Sequence, residues 1–311
     1  MKTLVEVLVS REQLFDLMYS SMRKAVTAIP QDVREALQRS MRRETSAMGR
    51  LHLETSLQNF RISETEDGLV CTDTGWPYYY VVMGDNVQIE GGGSQIRRMA
   101  EEAVRRCSRE AKLRVTMVHP ISRAVNDLNV GYYFPRVEIR FSAEQDGIKV
   151  VAVPKGGGSD IFGSFFRMLL AADGMPGALK FVLDCFHDST FSGKTCPPNI
   201  IGIGIGGTPD LCMTIAKEAC ILRAVGSRHP DMEIAKLELE LLDAFNEMGI
   251  GPMGSGGVAA AMDVHIEVAA THTAALGVAF NAQCMIGRRA VATLESDGRI
   301  RLEDVVDWKY R

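Results

Sequence analysis

The amino-acid sequence predicts an α/β protein with mixed sheets surrounded by helices, and three stretches predict it. Val137, Ile139 and Phe141 alternate with polar residues, the two-residue period of a half-buried strand. Glu233 to Met248 sets Ile234, Leu237, Leu241, Phe245 and Met248 on one face at helical spacing and halts at Gly249. Between them, NIIGIGIGGTPD passes from an alternating Ile/Gly strand through a glycine turn to Thr208 and Pro209, residue types suited to an N-cap and a first helical turn. The 311 residues are 46% hydrophobic and 24% charged, ample apolar material for a large core. With no internal repeat, low-complexity tract or clear linker, residues 1–311 are expected to form one domain whose first part, 1–60, is helical.

From the start of the chain, MKTLVEVLVS has its apolar run broken by Glu6 and followed by Arg11 and Glu12. It reads as a strand or helix of the mature protein rather than a signal peptide. Arg11 to Leu57, rich in Leu, Met, Ala, Arg and Glu, predicts two helices or more, with the pattern restarting at Gln31-Asp32 after Pro30. GLVCTDTGWPYYYVV, Gly68 to Val82, sets Cys71 and Asp73 in a loop before a strand over Tyr78 to Val82. RRMAEEAVRR has the spacing of a solvated helix face. Val137 to Phe141 and Ile148 to Val153, joined through Asp146-Gly147, predict a β-hairpin.

After Lys155 comes GGGSDIFGS, read as a loop whose glycines permit close approach. A helix is expected around Gly177 to Cys185, then a loop ending in Cys196-Pro197-Pro198 and the strand-turn-helix unit. The glycine-rich GIGPMGSGGVAAA precedes a mixed segment ending near Cys284, and the tail is strand-like with a short charged end.

The formal charge of −4 supplies no basic field for nucleic acid. No run approaches the roughly 18 apolar residues that cross a bilayer. Seven dispersed cysteines without CxxC spacing do not suggest a secreted disulfide framework, so a soluble, cytoplasmic protein is expected.

Several motifs tempt. GIGIGG, Gly202 to Gly207, satisfies the dinucleotide fingerprint, which keeps an NAD-binding oxidoreductase open as an alternative. Its first glycines lie within the strand, however, and GSRHP about 20 residues on offers no acidic ribose partner. A glycine-thinned strand packed against a neighbour is the plainer reading. SGKT ends like a P-loop, but Asp188 stands where the first glycine should be. His265 and His272 could share a helical face, although ordinary hydrogen-bonded histidines are expected over a zinc site. Cys107, Cys185, Cys212 and Cys220 fall in helical segments as small hydrophobes, whereas Cys71, Cys196 and Cys284 sit in loops, where three thiols could converge on one metal centre.

These residues also carry a family resemblance. CTDTG resembles the CQDTG of the class I fumarase and L(+)-tartrate dehydratase family, iron-sulfur hydro-lyases, in its α subunit or N-terminal half. LRVTMVHPISRAVNDLNVG, KGGGS, CPPNIIGIGIGG, GSRHP, LELEL, IGPMG and FNAQC follow in that family's order, from about Glu44 to Ala290.

The resemblance implies that Cys71, Cys196 and Cys284 hold a [4Fe-4S] cluster with one iron left open as a Lewis acid. It implies that Asp73 takes part in acid/base chemistry, its plainer reading being an Asx turn before Thr74-Gly75. Arg114 is the implied carboxylate clamp, Gly156, Gly157 and Gly158 approach substrate through their backbone, and Lys155, His272 and Arg288 are further candidates. The substrate implied is a dicarboxylic acid, fumarate/malate or L-tartrate/oxaloacetate, and the implied partner is a separately encoded β subunit in a hetero-oligomer. Thr72 departs from the family glutamine and bears on which acid is preferred. A non-catalytic scaffold of the same fold is the remaining alternative.

Overall fold

The computed structural model describes residues 7–295 and 297–304. β1 (Val7–Val9) leads into α1 (Arg11–Thr27), α2 (Gln31–Arg43) and α3 (Ala47–Thr65). β2 (Trp76–Met83) and β3 (Val87–Ile89) precede α4 (Ser94–Glu110), and β4 (Arg136–Phe141) and β5 (Ile148–Lys155) follow it. Next come α5 (Gly157–Phe162), β6 (Ser164–Leu170), α6 (Gly174–Thr190), β7 (Asn199–Ile205), α7 (Pro209–Leu222) and α8 (Met232–Glu247). The chain then runs through β8 (Ala261–Val268), β9 (Ala275–Gln283), β10 (Ala290–Leu294) and β11 (Ile300–Glu303). This is the expected α/β architecture of mixed sheets and helices. The short charged end of the tail lies outside the described residues.

The chain divides into two compact units: one takes the residues up to Pro30, Ile62–Lys155 and those from Arg288 onward, the other Gln31–Arg61 and Gly156–Gly287. In the first, a five-stranded sheet runs β11-β10-β5-β2-β4, and β1 pairs with β3 separately. The expected hairpin is not formed. β2 lies between its two arms, parallel to β4 and antiparallel to β5, so that Tyr80 faces Glu138 on one side and Val151 on the other. The reason lies in composition: β2 is buried from Pro77 to Met83 and gains from neighbours on both edges, whereas β4 alternates and leaves Ile139 and Phe141 exposed, as an edge strand tolerates.

α1 starts on a capping box, Ser10 with Gln13, a feature worth about 1 kcal/mol. Its Leu14, Leu17, Met18 and Met22 join Ala100, Val104 and Cys107 of α4 against Tyr79, Val81, Val150 and Ala152 of the sheet. Each such side chain contributes roughly 1.5–3 kcal/mol on full burial. The outer face of α4 carries the expected solvated charges, with Arg97, Arg105 and Arg106 paired along the helix to Glu101 and Glu110.

The second unit is built on the sheet β6-β9-β7-β8. The period of two along β7 sorts its side chains: Ile201 and Ile203 enter a core with Phe181 and Phe186 of α6, Leu241 and Phe245 of α8, and Phe280. Gly202 and Gly204 alternate to the other face, against α7. A Cβ on Gly202 would lie 2.0 Å from the Ala216 carbonyl oxygen, and one on Gly204 would lie 2.3 Å from that of Cys212. Only glycine lets the helix sit this close, which is the packed, glycine-thinned strand expected. Two expectations are corrected here. His265 lies in β8 and His272 in the following loop, so they share no helical face, and GGGSDIFGS is not all loop because α5 begins at Gly157.

Candidate functional site

The CTDTG segment is a tight turn of the first unit. The Asp73 amide donates to Cys71 Sγ at 3.4 Å, and the Gly75 amide donates to Asp73 Oδ1 at 2.9 Å, with Gly75 at φ 75°. The Asx turn, the plainer reading of Asp73, is present, and it fixes the carboxyl group two residues from the thiol. Thr74 Oγ1 donates to the Arg114 carbonyl at 2.6 Å, tying the segment that bears this arginine to the turn. Cys71 and Asp73 are half-buried, and Thr72 and Arg114 are exposed.

In the second unit three distant stretches meet. Ser159, within GGGS, donates to the Gly156 carbonyl at 2.9 Å and lies 3.5 Å from Gln283 Oε1. Asn199 Nδ2 donates to the Gln283 carbonyl at 3.2 Å and to the Thr195 carbonyl at 2.9 Å. The Met285 amide donates to the Cys196 carbonyl at 3.1 Å, so the Cys196 and Cys284 loops are joined through their backbones. A Cβ on Gly158 would stand 3.3 Å from the Lys194 carbonyl, which brings the GGGS turn against the same loop. Cys196 itself is exposed and held at φ 54°. That left-handed conformation costs a non-glycine residue about 1 kcal/mol or more and clusters at functional positions.

Sequence reasoning did not single out Ser159, Asn199 or Gln283, although each lies inside or beside a motif stretch. Their signal was adjacency to GGG, CPP and Cys284; their convergence depends on β7–β9 pairing, in which Ile200 faces Gln283.

The other candidates are dispersed. Lys155 is fully buried at the end of β5. His272 is exposed, and its Nδ1 accepts the Ala274 amide at 3.1 Å, organising its own turn. Arg288 is 1% exposed, yet its Nε and Nη2 have no hydrogen-bond partner among the described residues. A buried guanidinium left open in this way is costly unless an anion completes it.

The remaining cysteines behave as expected of small hydrophobes. Burial pushes the thiols of Cys107 and Cys185 up to about 12 and that of Cys212 up to about 11, so they stay protonated. Among the described residues no three His, Cys, Asp or Glu side chains close on one metal-sized position. No described helix is long and apolar enough to cross a membrane.

The fold and these turns define a class: an α/β protein whose candidate residues lie largely on cysteine- and glycine-containing loops, while Gly202 and Gly204 of its dinucleotide-like run serve helix packing. The chain belongs to the fumarate hydratase (Fumerase) family, whose model matches residues 16–293, and is a hydro-lyase. It is 38% identical over 292 residues to a Methanocaldococcus jannaschii protein provisionally named L(+)-tartrate dehydratase subunit alpha, covering 93% of this chain and all of that one. It is 31% identical over 271 residues to the L(+)-tartrate dehydratase subunit alpha of Escherichia coli K12, covering 87% of each. The Shigella boydii protein of the same name matches to the same extent.

Proposed function

We propose that the chain is the cluster-bearing α subunit of a cytoplasmic, heteromeric hydro-lyase that adds water to or removes it from a dicarboxylic acid, fumarate/malate or L-tartrate/oxaloacetate. Both compact units would serve this one α domain. The observation that carries the proposal is the meeting of family-motif segments within each unit: CTDTG with the Arg114 segment in one, and GGGS with the Cys196 and Cys284 loops in the other.

Cys71, Cys196 and Cys284 are the proposed holders of a [4Fe-4S] cluster. The donor set fits such a group: these three thiols stand on loops rather than in helices, thiolate is the preferred ligand of iron-sulfur clusters, and the Asp73 amide donates a hydrogen bond to Cys71 Sγ. When bound, the cluster supplies a Lewis acid for the departing hydroxyl oxygen.

The rest falls to protein groups. Asp73 takes the proton from the carbon beside a carboxylate, or orients the group that does, because its Asx turn holds Oδ1 in place. The Arg114 guanidinium clamps a substrate carboxylate in a planar, two-bond fork, and the amides of Gly156, Gly157 and Gly158 face the charge that grows as the proton leaves. Arg288 offers a second, desolvated guanidinium. Thr72, shorter than the family glutamine, tunes which acid fits.

The relatives are named as alpha subunits, which supports a β partner. Beyond Arg114, the chain displays Ile121 and Tyr133, 88% and 81% exposed, together with Val125 and Tyr132. Exposed apolar side chains of this kind suit a protein interface. The test is an anaerobic dehydration assay of the chain, with and without the β chain from the same source, against a panel of hydroxy diacids. Turnover that requires both chains is expected. No turnover of any diacid by the reconstituted pair would overturn the proposal.

A further inference from the structure

Away from those loops, the second unit contains a cavity of about 470 Å³ beside the last turns of α2, the 225–228 loop and the start of β8. It falls in the size range of small-molecule sites, roughly 300–1,000 Å³. None of the cysteines, glycines or acid/base candidates above lines it.

Its polar groups divide into two sets. Asp263 is fully engaged, receiving Arg228 Nη1 at 2.7 Å, His265 Nε2 at 3.1 Å and the Gly226 amide at 2.5 Å. Asn246 is engaged too, its Oδ1 accepting the Ala260 and Ala261 amides at 2.9 Å and its Nδ2 reaching the Ala261 carbonyl at 3.2 Å. Arg39, Ser40 and Arg43 form the other set. Both arginines line the cavity and have no hydrogen bond or ion pair among the described residues. Ser40 is only 8% exposed, and its hydroxyl likewise has no partner there.

Arg39 and Arg43 are four apart on α2, so their side chains project from one face, where like charges repel unless an anion lies between them. The pull of a helix C-terminus on cations accounts for an arginine in the last turn. It does not account for a concave wall, an unpartnered Ser40 hydroxyl opening onto it and a second unpaired guanidinium one turn earlier. With Arg228 neutralised by Asp263, the cavity carries two uncompensated positive charges. Its remaining wall is apolar: Ala36, Val225, Leu242, Val258 and Met262.

We propose that this cavity binds a small dicarboxylate, with Arg39 and Arg43 each taking a carboxylate, Ser40 donating its hydroxyl, and the carbon body lying against Met262 and Val258. Two separate guanidinium forks suit two carboxylates better than one compact oxyanion. A bare phosphate would leave the apolar wall unfilled.

The test titrates the full-length chain with succinate and, separately, with inorganic phosphate, by calorimetry and by the methyl NMR signal of Met262. Saturable succinate binding is expected, tighter than phosphate, with the Met262 methyl shifting. Arg39→Gln and Arg43→Gln should each weaken succinate about tenfold, and Ser40→Ala less. Both arginines are exposed, so the fold is retained, as a melting curve will verify. An Asp73→Asn/Arg114→Gln variant should bind succinate at this cavity as the parent does, which separates it from the proposed hydro-lyase site. Phosphate binding as tightly as succinate, an unmoved Met262 signal, or binding that survives both arginine changes but vanishes in the Asp73/Arg114 variant would overturn the assignment.

Discussion

Replacing Gly202 by alanine tests whether GIGIGG is a packing device. The added methyl would lie 2.0 Å from the Ala216 carbonyl oxygen and 2.6 Å from the Cys220 amide nitrogen. Both atoms belong to the backbone of α7, so no side chain can swing aside; the helix must withdraw by about 1 Å or more, beyond what a close-packed interior absorbs. That shift would disturb the small contact of Cys212, Ala216 and Ala279 as well. Overpacking costs about 1–3 kcal/mol when side chains can adjust, and a backbone clash places Gly202→Ala at about 3 kcal/mol or above. The assay is urea unfolding of the full chain followed by far-UV circular dichroism, with NAD titration of parent and variant in parallel. A clear fall in midpoint and no saturable NAD binding is expected. An unchanged midpoint, or NAD binding that the substitution abolishes, would refute the reasoning.

Other outcomes follow from the same structure. Asp73→Asn, measured in the α–β complex, should lower turnover by about 10²–10⁴ while leaving iron content unchanged; undiminished turnover would reduce Asp73 to a turn former. Burial opposes ionisation of Asp263, but His265, Arg228 and the Gly226 amide prevail and hold its carboxyl at about 2, below the ordinary 3.8. A depressed carboxyl stabilises the fold above the unfolded value, and that contribution fades as pH falls from about 4 to about 2. Asp263→Asn should therefore lose about 2 kcal/mol at neutral pH and flatten acid unfolding over that window, as read by denaturation at several pH values; a parallel parent and variant profile would contradict this. In the cluster-free chain at pH 8, iodoacetamide should modify exposed Cys196 first and leave Cys107, Cys185 and Cys212 unlabelled until unfolding, as peptide mass spectrometry can show.

Much of the local structure was legible because it follows from short-range periodicity. α8 buries Leu241 and Phe245 and ends before Gly249 at φ 70°, as its spacing predicted. β7 and α7 were readable from Ile/Gly alternation followed by Thr208-Pro209. What failed was pairing. Asp146-Gly147 does turn, with Gly147 at φ 77° and Asn86 bonded to Asp146 at 3.1 Å, but the turn serves a three-strand arrangement in which apolar β2 takes the middle position. A local dipeptide carries no information about which distant strand competes for the partner.

The same limit applies to the site. Cys71 and Asp73 are neighbours in sequence, and their turn was readable. Ser159, Asn199 and Gln283 meet only through sheet register. Glu44 was equally silent: fully buried, its carboxylate gathers the amides of Thr45, Ser46, Val258 and Ala259, a role set by a loop more than 200 residues away. Nor did Arg288 announce that its guanidinium is buried with open donors.

The most direct test of the hydro-lyase account is anaerobic iron-sulfur reconstitution of the purified chain, with iron and sulfide quantified and the visible absorbance recorded for the parent and for Cys71→Ser, Cys196→Ser and Cys284→Ser. The account predicts one [4Fe-4S] cluster per parent chain, its loss or gross destabilisation in each of the three variants, and its retention in Cys212→Ser. Failure of the parent to take up a cluster, or retention of a full cluster in all three loop-cysteine variants, would contradict it.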